Sequence, residues 1–139
     1  MSLANIREKI SDAIETIPGL TVSEYIPDTV TLPLACITLN PANPVEYDFT
    51  AGNKSWKYHC QIQILVNKGG SVLVAQKELD KFIDPEDDLF IKTPIEDIDL
   101  TPDADVCRLV GSPTYGTATY GSTEFLAILL NLDVWCSKQ

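Results

Sequence analysis

The chain predicts an α+β fold, an antiparallel or mixed β-sheet with two α-helices packed on one face, and three observations carry that prediction. Residues Ser55 to Asn67 alternate with a period of two. Two stretches, Leu3–Ile17 and Val72–Ile83, carry apolar residues at helical spacing. The last third ends in a long alternating segment, Thr123–Cys136. A period of two belongs to a strand with one buried face, and a three-and-four spacing to a helix with one buried stripe. Helices that interrupt runs of adjacent strands favour antiparallel pairing with the helices on one side.

In the first helix Leu3, Ile6, Ile10, Ala13, Ile14 and Ile17 form the stripe, and Arg7, Glu8, Lys9, Asp12 and Glu15 the wet side. Ser2 is its expected N-cap and Pro18-Gly19 its stop. Leu20–Tyr25 reads as a short strand. Pro27 and Pro33 frame a connector, and Leu34–Leu39 is a short apolar strand. Val45–Thr50 alternates weakly before a turn at Ala51-Gly52-Asn53-Lys54. In the long strand Trp56, Tyr58, Cys60, Ile62, Ile64 and Val66 take one face, and Lys57, His59, Gln61 and Gln63 the other. That second face is expected to be wet or to meet a polar partner.

Gly69-Gly70-Ser71 opens the second helix with Ser71 as cap, and Pro85 ends it. Thr93-Pro94-Ile95-Glu96 has the form of a capped single turn. Val106–Val110 and Thr123–Cys136 are read as the strands of a hairpin. Between them a Gly-rich loop repeats Thr114-Tyr115-Gly116-Thr117 as Thr119-Tyr120-Gly121-Ser122. This loop is either a mobile hairpin tip or a contact arm that orders on assembly, with Tyr115 and Tyr120 as anchors beside Gly116 and Gly121. No linker divides the chain, so residues 1–139 are read as one domain.

Composition narrows the function. Ten basic against twenty acidic residues leave a formal charge of −10, which disfavours gripping nucleic acid through its phosphates. Between Asp84 and Asp105 stand nine carboxylates and one lysine. The start lacks the basic-then-apolar pattern of a signal peptide, and Phe125–Leu130 is too short to span a bilayer. Cys36, Cys60, Cys107 and Cys136 are far apart in sequence, which suits buried free thiols.

Catalytic patterns fail on context. His59, the one histidine, neighbours Cys60, but adjacent strand residues point to opposite faces and make no nucleophile–base pair. No G-x-S-x-G elbow is present. Asp97-Ile98-Asp99-Leu100-Thr101 matches an aspartate-nucleophile phosphatase pattern, yet an acidic segment precedes it where an apolar parallel strand is required, and Pro102 follows. Asp97, Asp99, Asp103 and Asp105 alternate, but a calcium loop counted from Asp97 meets Pro102 and Arg108 where Gly and Glu are needed. No Cys/His spacing fits zinc, Gly69-Gly70-Ser71 lacks a phosphate-loop lysine, and Asn53-Lys54-Ser55 is a sequon without a secretory context. No cofactor is expected, and the chain is read as non-catalytic.

The order of these elements resembles the tail-terminator family of long-tailed bacteriophages. The matching pieces are the helix Ile6 to Ile17, the strand Leu34 to Leu39, the strand Trp56 to Val66, the helix Val72 to Ile83, and the strands Val106–Val110 and Glu124–Val134. The family has no motif of fixed catalytic residues, so no residue role is carried across. The resemblance implies a virion protein made in the host cytoplasm. It would form a homo-oligomeric ring, typically a hexamer, at the head-proximal end of the tail. Such a ring ends polymerisation of the tail tube protein and joins the tail to the head–tail connector protein, while DNA passes through its lumen without specific binding. Lys57, His59, Gln61 and Gln63, with the Tyr115/Tyr120 loop, are then candidate partner contacts. Asp87, Asp88, Asp97 and Asp99 are candidates for the lumen, where like charge keeps DNA sliding. Competing readings are another neck protein (head-closure or connector), and a small α+β ligand-binding domain or enzyme.

Overall fold

The computed structural model describes residues 3–23, 32–48, 55–67, 72–87, 90–96, 106–120 and 123–137. In chain order they form α1 (Leu3–Ile14), β1 (Thr21–Ser23), β2 (Leu34–Leu39), β3 (Val45–Asp48), β4 (Ser55–Asn67), α2 (Val72–Ile83), α3 (Lys92–Glu96), β5 (Val106–Tyr120) and β6 (Thr123–Ser137). The described strands make one six-stranded sheet in the order β1-β2-β4-β6-β5, with β3 also paired to β4. Only β1 and β2 run parallel, so the sheet is mixed and mostly antiparallel.

The alternation in β4 sets the layers. Cys60, Ile62, Ile64 and Val66 lie opposite Leu132, Leu130, Ile128 and Leu126 of β6. Together with Ala35 and Ile37 of β2 they make the front face, which the helices cover with Ile6, Ile10 and Ile14, Ala75, Leu79 and Phe82, and Ile95. All three helices therefore pack on one side, as the two apolar stripes require. Arg7 reinforces the contact by donating from Nη1 to the Ile37 carbonyl at 2.9 Å.

Several boundaries differ from the sequence reading. The helix of α1 stops at Ile14, and i→i+3 bonds (Thr16 N–H to Ala13 O, Ile17 N–H to Ile14 O) carry the chain into Gly19 at φ 78°. Ile17 is still buried, because the tightened turn keeps it over the core. Pro94 is third in α3, which starts at Lys92. Ser2 and Ser71, the expected caps, lie outside the described residues.

The larger correction concerns the Gly-rich loop. Residues 111–120 are not a loop: β5 runs through Tyr120, and only residues 121–122, outside the description, separate it from β6. The register slips once, from Val110 opposite Asn131 to Thr114 opposite Leu129, around Gly111 at φ 69°. Gly111 and Pro113 thus mark a bulge, a common strand use of these residues. Beyond it Thr114, Tyr115, Thr117 and Thr119 favour extended backbone, and β6 supplies their ladder.

All four cysteines are free and buried. Burial pushes the thiols of Cys36 and Cys107 up to about 11 and that of Cys60 to about 12. The thiolate is the reactive form, so at pH 8 a thiol reagent is expected to label the native protein slowly and all four sites at once after unfolding. Below about pH 9, the ordinary value of a cysteine, both states keep these protons. As pH rises from there through 11–12 the unfolded chain releases them first, so stability falls. Thiol titration along a pH-resolved unfolding series checks both; rapid labelling of native protein at pH 8 would contradict the buried assignment.

Candidate functional site

The back face of the sheet divides in two. At one end Leu34, Cys36, Leu65, Phe125 and Ala127 form a second buried apolar cluster, with Leu32 and Ala118 against it. The face is therefore not polar throughout. The other end carries the polar residues that alternation placed there.

Three strands build this polar strip. Lys57 of β4 lies between Glu46 of β3 and Trp135 of β6, His59 lies opposite Asp133, and Gln61 lies opposite Asn131. His59 is the hub: Nδ1 is 2.8 Å from Asp133 Oδ1, and Nε2 is 3.2 Å from Glu46 Oε2. Lys57 Nζ sits 3.5 Å from Glu46 and 3.8 Å from Asp133, and 5.4 Å from the centre of the Trp135 ring. Gln61 Nε2 donates to Asn131 Oδ1 at 3.5 Å. Asp133 is only 8% exposed, so its charge depends on these partners rather than on water.

The arrangement limits what His59 can do. A general base needs a ring nitrogen free to take a proton from a nucleophile. Here both nitrogens face carboxylate oxygens, and both hydrogen bonds form together only when both nitrogens carry protons. Cys60, its sequence neighbour, points into the front-face core. Among the described residues no group of three or more His, Cys, Asp or Glu side chains is arranged to hold a metal ion. A recess of about 340 Å³ adjoins the strip, lined by Glu46, Tyr47, Ser55, Trp56, Lys57 and Trp135. The strip is suited to tying strands together and to presenting a fixed pattern of charge.

The structure brings Lys57, His59, Gln61 and Gln63 onto one face, with Gln63 at the border of the apolar cluster opposite Cys36. Tyr115 and Gly116 are elsewhere, on β5, and on opposite faces from one another. Tyr115 faces front and its hydroxyl donates to Asp80 of α2, which ties the strand to the helix layer while the residue stays 44% exposed. Burial first, then the Asp80 carboxylate, pushes the Tyr115 hydroxyl up to about 12. The backbone of Tyr120 pairs with Thr123 at the end of β5. Gly121, Asp88, Asp97 and Asp99 lie outside the described residues. Asp87 follows α2 and accepts the Phe90 N–H at 3.1 Å on its backbone oxygen.

Sequence reasoning missed Asp133, Glu46, Asn131 and Trp135. Their signal was present as the positions of β6 and β3 complementary to the apolar ones, but which of them meets His59 depends on register. No family model matches the chain, and no curated protein matches it. Among the described residues no helix is long and apolar enough to cross a membrane.

Proposed function

We propose that this chain is a structural subunit that works by self-association, a ring-forming virion protein of the tail-terminator type at the head-proximal end of a phage tail. One observation carries the non-catalytic part of this reading: the chain's one imidazole, His59, is held between two carboxylates. The element order that resembles that family supports the rest. So does a sheet whose helices cover one face and whose other face carries a charged strip. In this role the ring stops tube growth and presents a surface to the head–tail connector, and the acidic segment from Asp84 to Asp105 borders the DNA path.

Native mass spectrometry of the purified chain, alone and with its tail tube protein, tests the reading. A ring, expected as a hexamer, in either sample supports it. A strict monomer in both refutes it. Binding to a portal-side protein but not to tube protein would assign the chain to the neck as a connector instead. Neutralising Asp87, Asp88, Asp97 and Asp99 together is expected to impair DNA passage while leaving ring assembly intact; unimpaired passage removes these carboxylates from the lumen.

A further inference from the structure

We propose that two copies of this chain join across a two-fold axis, the distal half of β5 (Thr114–Tyr120) pairing antiparallel with the same segment of a second copy about Thr117. A two-fold contact closes at two copies. It is therefore separate from the ring reading, and the species it adds are doubled ones, a dimer of chains or of rings.

The segment has the surroundings such a contact needs. Among the described residues β5 pairs with β6 alone, and beyond the bulge their register is unbroken from Thr114 to Tyr120. Side chains there alternate, with Tyr115, Thr117 and Thr119 to the front and Gly116 and Ala118 to the back. A strand covered on either face would bury the residues of that face. Here Thr114, Tyr115, Gly116, Thr117 and Thr119 are exposed, and Ala118 is half-buried against the back-face cluster. Among the described residues no heavy atom lies within 4 Å of where a Cβ on Gly116 would stand. The bond from Tyr115 to Asp80 already holds the strand to the helix layer, so little order has to be gained on association.

Charge and sequence indicate what meets it. Two copies, each at a formal −10, repel one another. From Leu109 to Thr123 no residue is charged, so along this stretch two copies can approach without bringing carboxylates together. Sheets usually guard an open strand with lysine, proline or a bulge. The bulge and Pro113 stand before the segment, and no such guard stands within it. Its order also reads almost alike in both directions. About Thr117, Tyr115 comes opposite Thr119 of the second copy, Gly116 opposite Ala118, and Thr117 opposite itself. An axis perpendicular to the sheet keeps front against front. Aromatic–β-branched and Thr–Thr pairs are favourable cross-strand neighbours, and the small Gly–Ala pair leaves the backbones free to close. An extended segment of a different protein would not need this symmetry, so a second copy is the occupant assigned.

Sedimentation velocity and native mass spectrometry test the contact on wild type, Thr117→Lys, Thr117→Glu and an equal mixture of the two variants. The concentration series runs to about 1 mM, because small interfaces are weak. Wild type is expected to double in mass as concentration rises. Each variant alone sets like charges directly opposite one another, and its dissociation midpoint is expected to rise roughly tenfold or more. In the mixture an ammonium faces a carboxylate, and the midpoint should return to the wild-type value or below. Only a contact in which residue 117 meets its own copy predicts that recovery. Thr117 is exposed, so both variants should melt as wild type does. Hydrogen exchange of wild type needs no variant, and amides of Thr114–Tyr120 should slow as concentration rises. A wild type that never doubles, or exchange there that ignores concentration, overturns the contact. So does equal doubling by wild type and both variants, or a mixture that recovers nothing. Rings without doubling sink this contact and leave the ring reading standing; doubled single chains without rings do the reverse.

Discussion

Replacing Ile62 with alanine is expected to destabilise the chain by about 2–5 kcal/mol, the largest effect of any single change proposed for it. Ile62 sits in the middle of β4, opposite Ile37 on one side and Leu130 on the other, and is fully buried. The site cannot collapse readily, because strands flank it on both sides and the helix layer closes it from above. A small domain holds only about 5–15 kcal/mol in total, so this one truncation removes a large share. Urea unfolding should show the midpoint fall with an unchanged slope. Tyr47→Ala, mostly exposed, should stay within about 0.5 kcal/mol as a control. A loss below about 1 kcal/mol at Ile62 would mean that the front-face core is not packed as described.

The second large effect is expected at His59. Truncating it to alanine leaves Asp133, 8% exposed, with Lys57 at 3.8 Å as its nearest cation. Uncompensated buried charge is costly, and with side chains 19% and 12% exposed the expected loss is about 2 kcal/mol rather than the full value for a dry pair. Removing both partners, as in His59→Leu/Asp133→Leu, should destabilise less than His59→Ala alone, since neither charge is then stranded. A double-mutant cycle measures this directly, and additive losses would show that the two groups do not act together. The same network ties β3, β4 and β6 at one register, so its loss should also make β3 exchange its amide hydrogens faster.

How much of this was legible beforehand follows from the range of each interaction. The alternation of Trp56 to Val66 and the stripes of α1 and α2 depend on local backbone periods, and they place these side chains on the correct faces. Lys57, His59, Gln61 and Gln63 were accordingly found together on the back face. The segment after Val110 misled the reading because Gly111, Pro113 and Gly116 are loop formers in isolation. Pairing with β6 overrides that tendency, and only Gly111 uses its freedom, at the bulge.

By itself, then, the amino-acid order determined which side chains are greasy at which period. That settled the α+β class, the helix-covered face and the burial of the cysteines. Only the tertiary structure decided that His59 meets Asp133, 74 residues later in the chain, that β5 carries on through Gly111 and Gly116, and that among the described strands β5 lies at one side of the sheet and β1 and β3 at the other. The physical reason is that a residue's face is set by its own few dihedrals. Its neighbour across a sheet is set by the long-range register that buries the most apolar surface, and no short stretch of sequence contains that register.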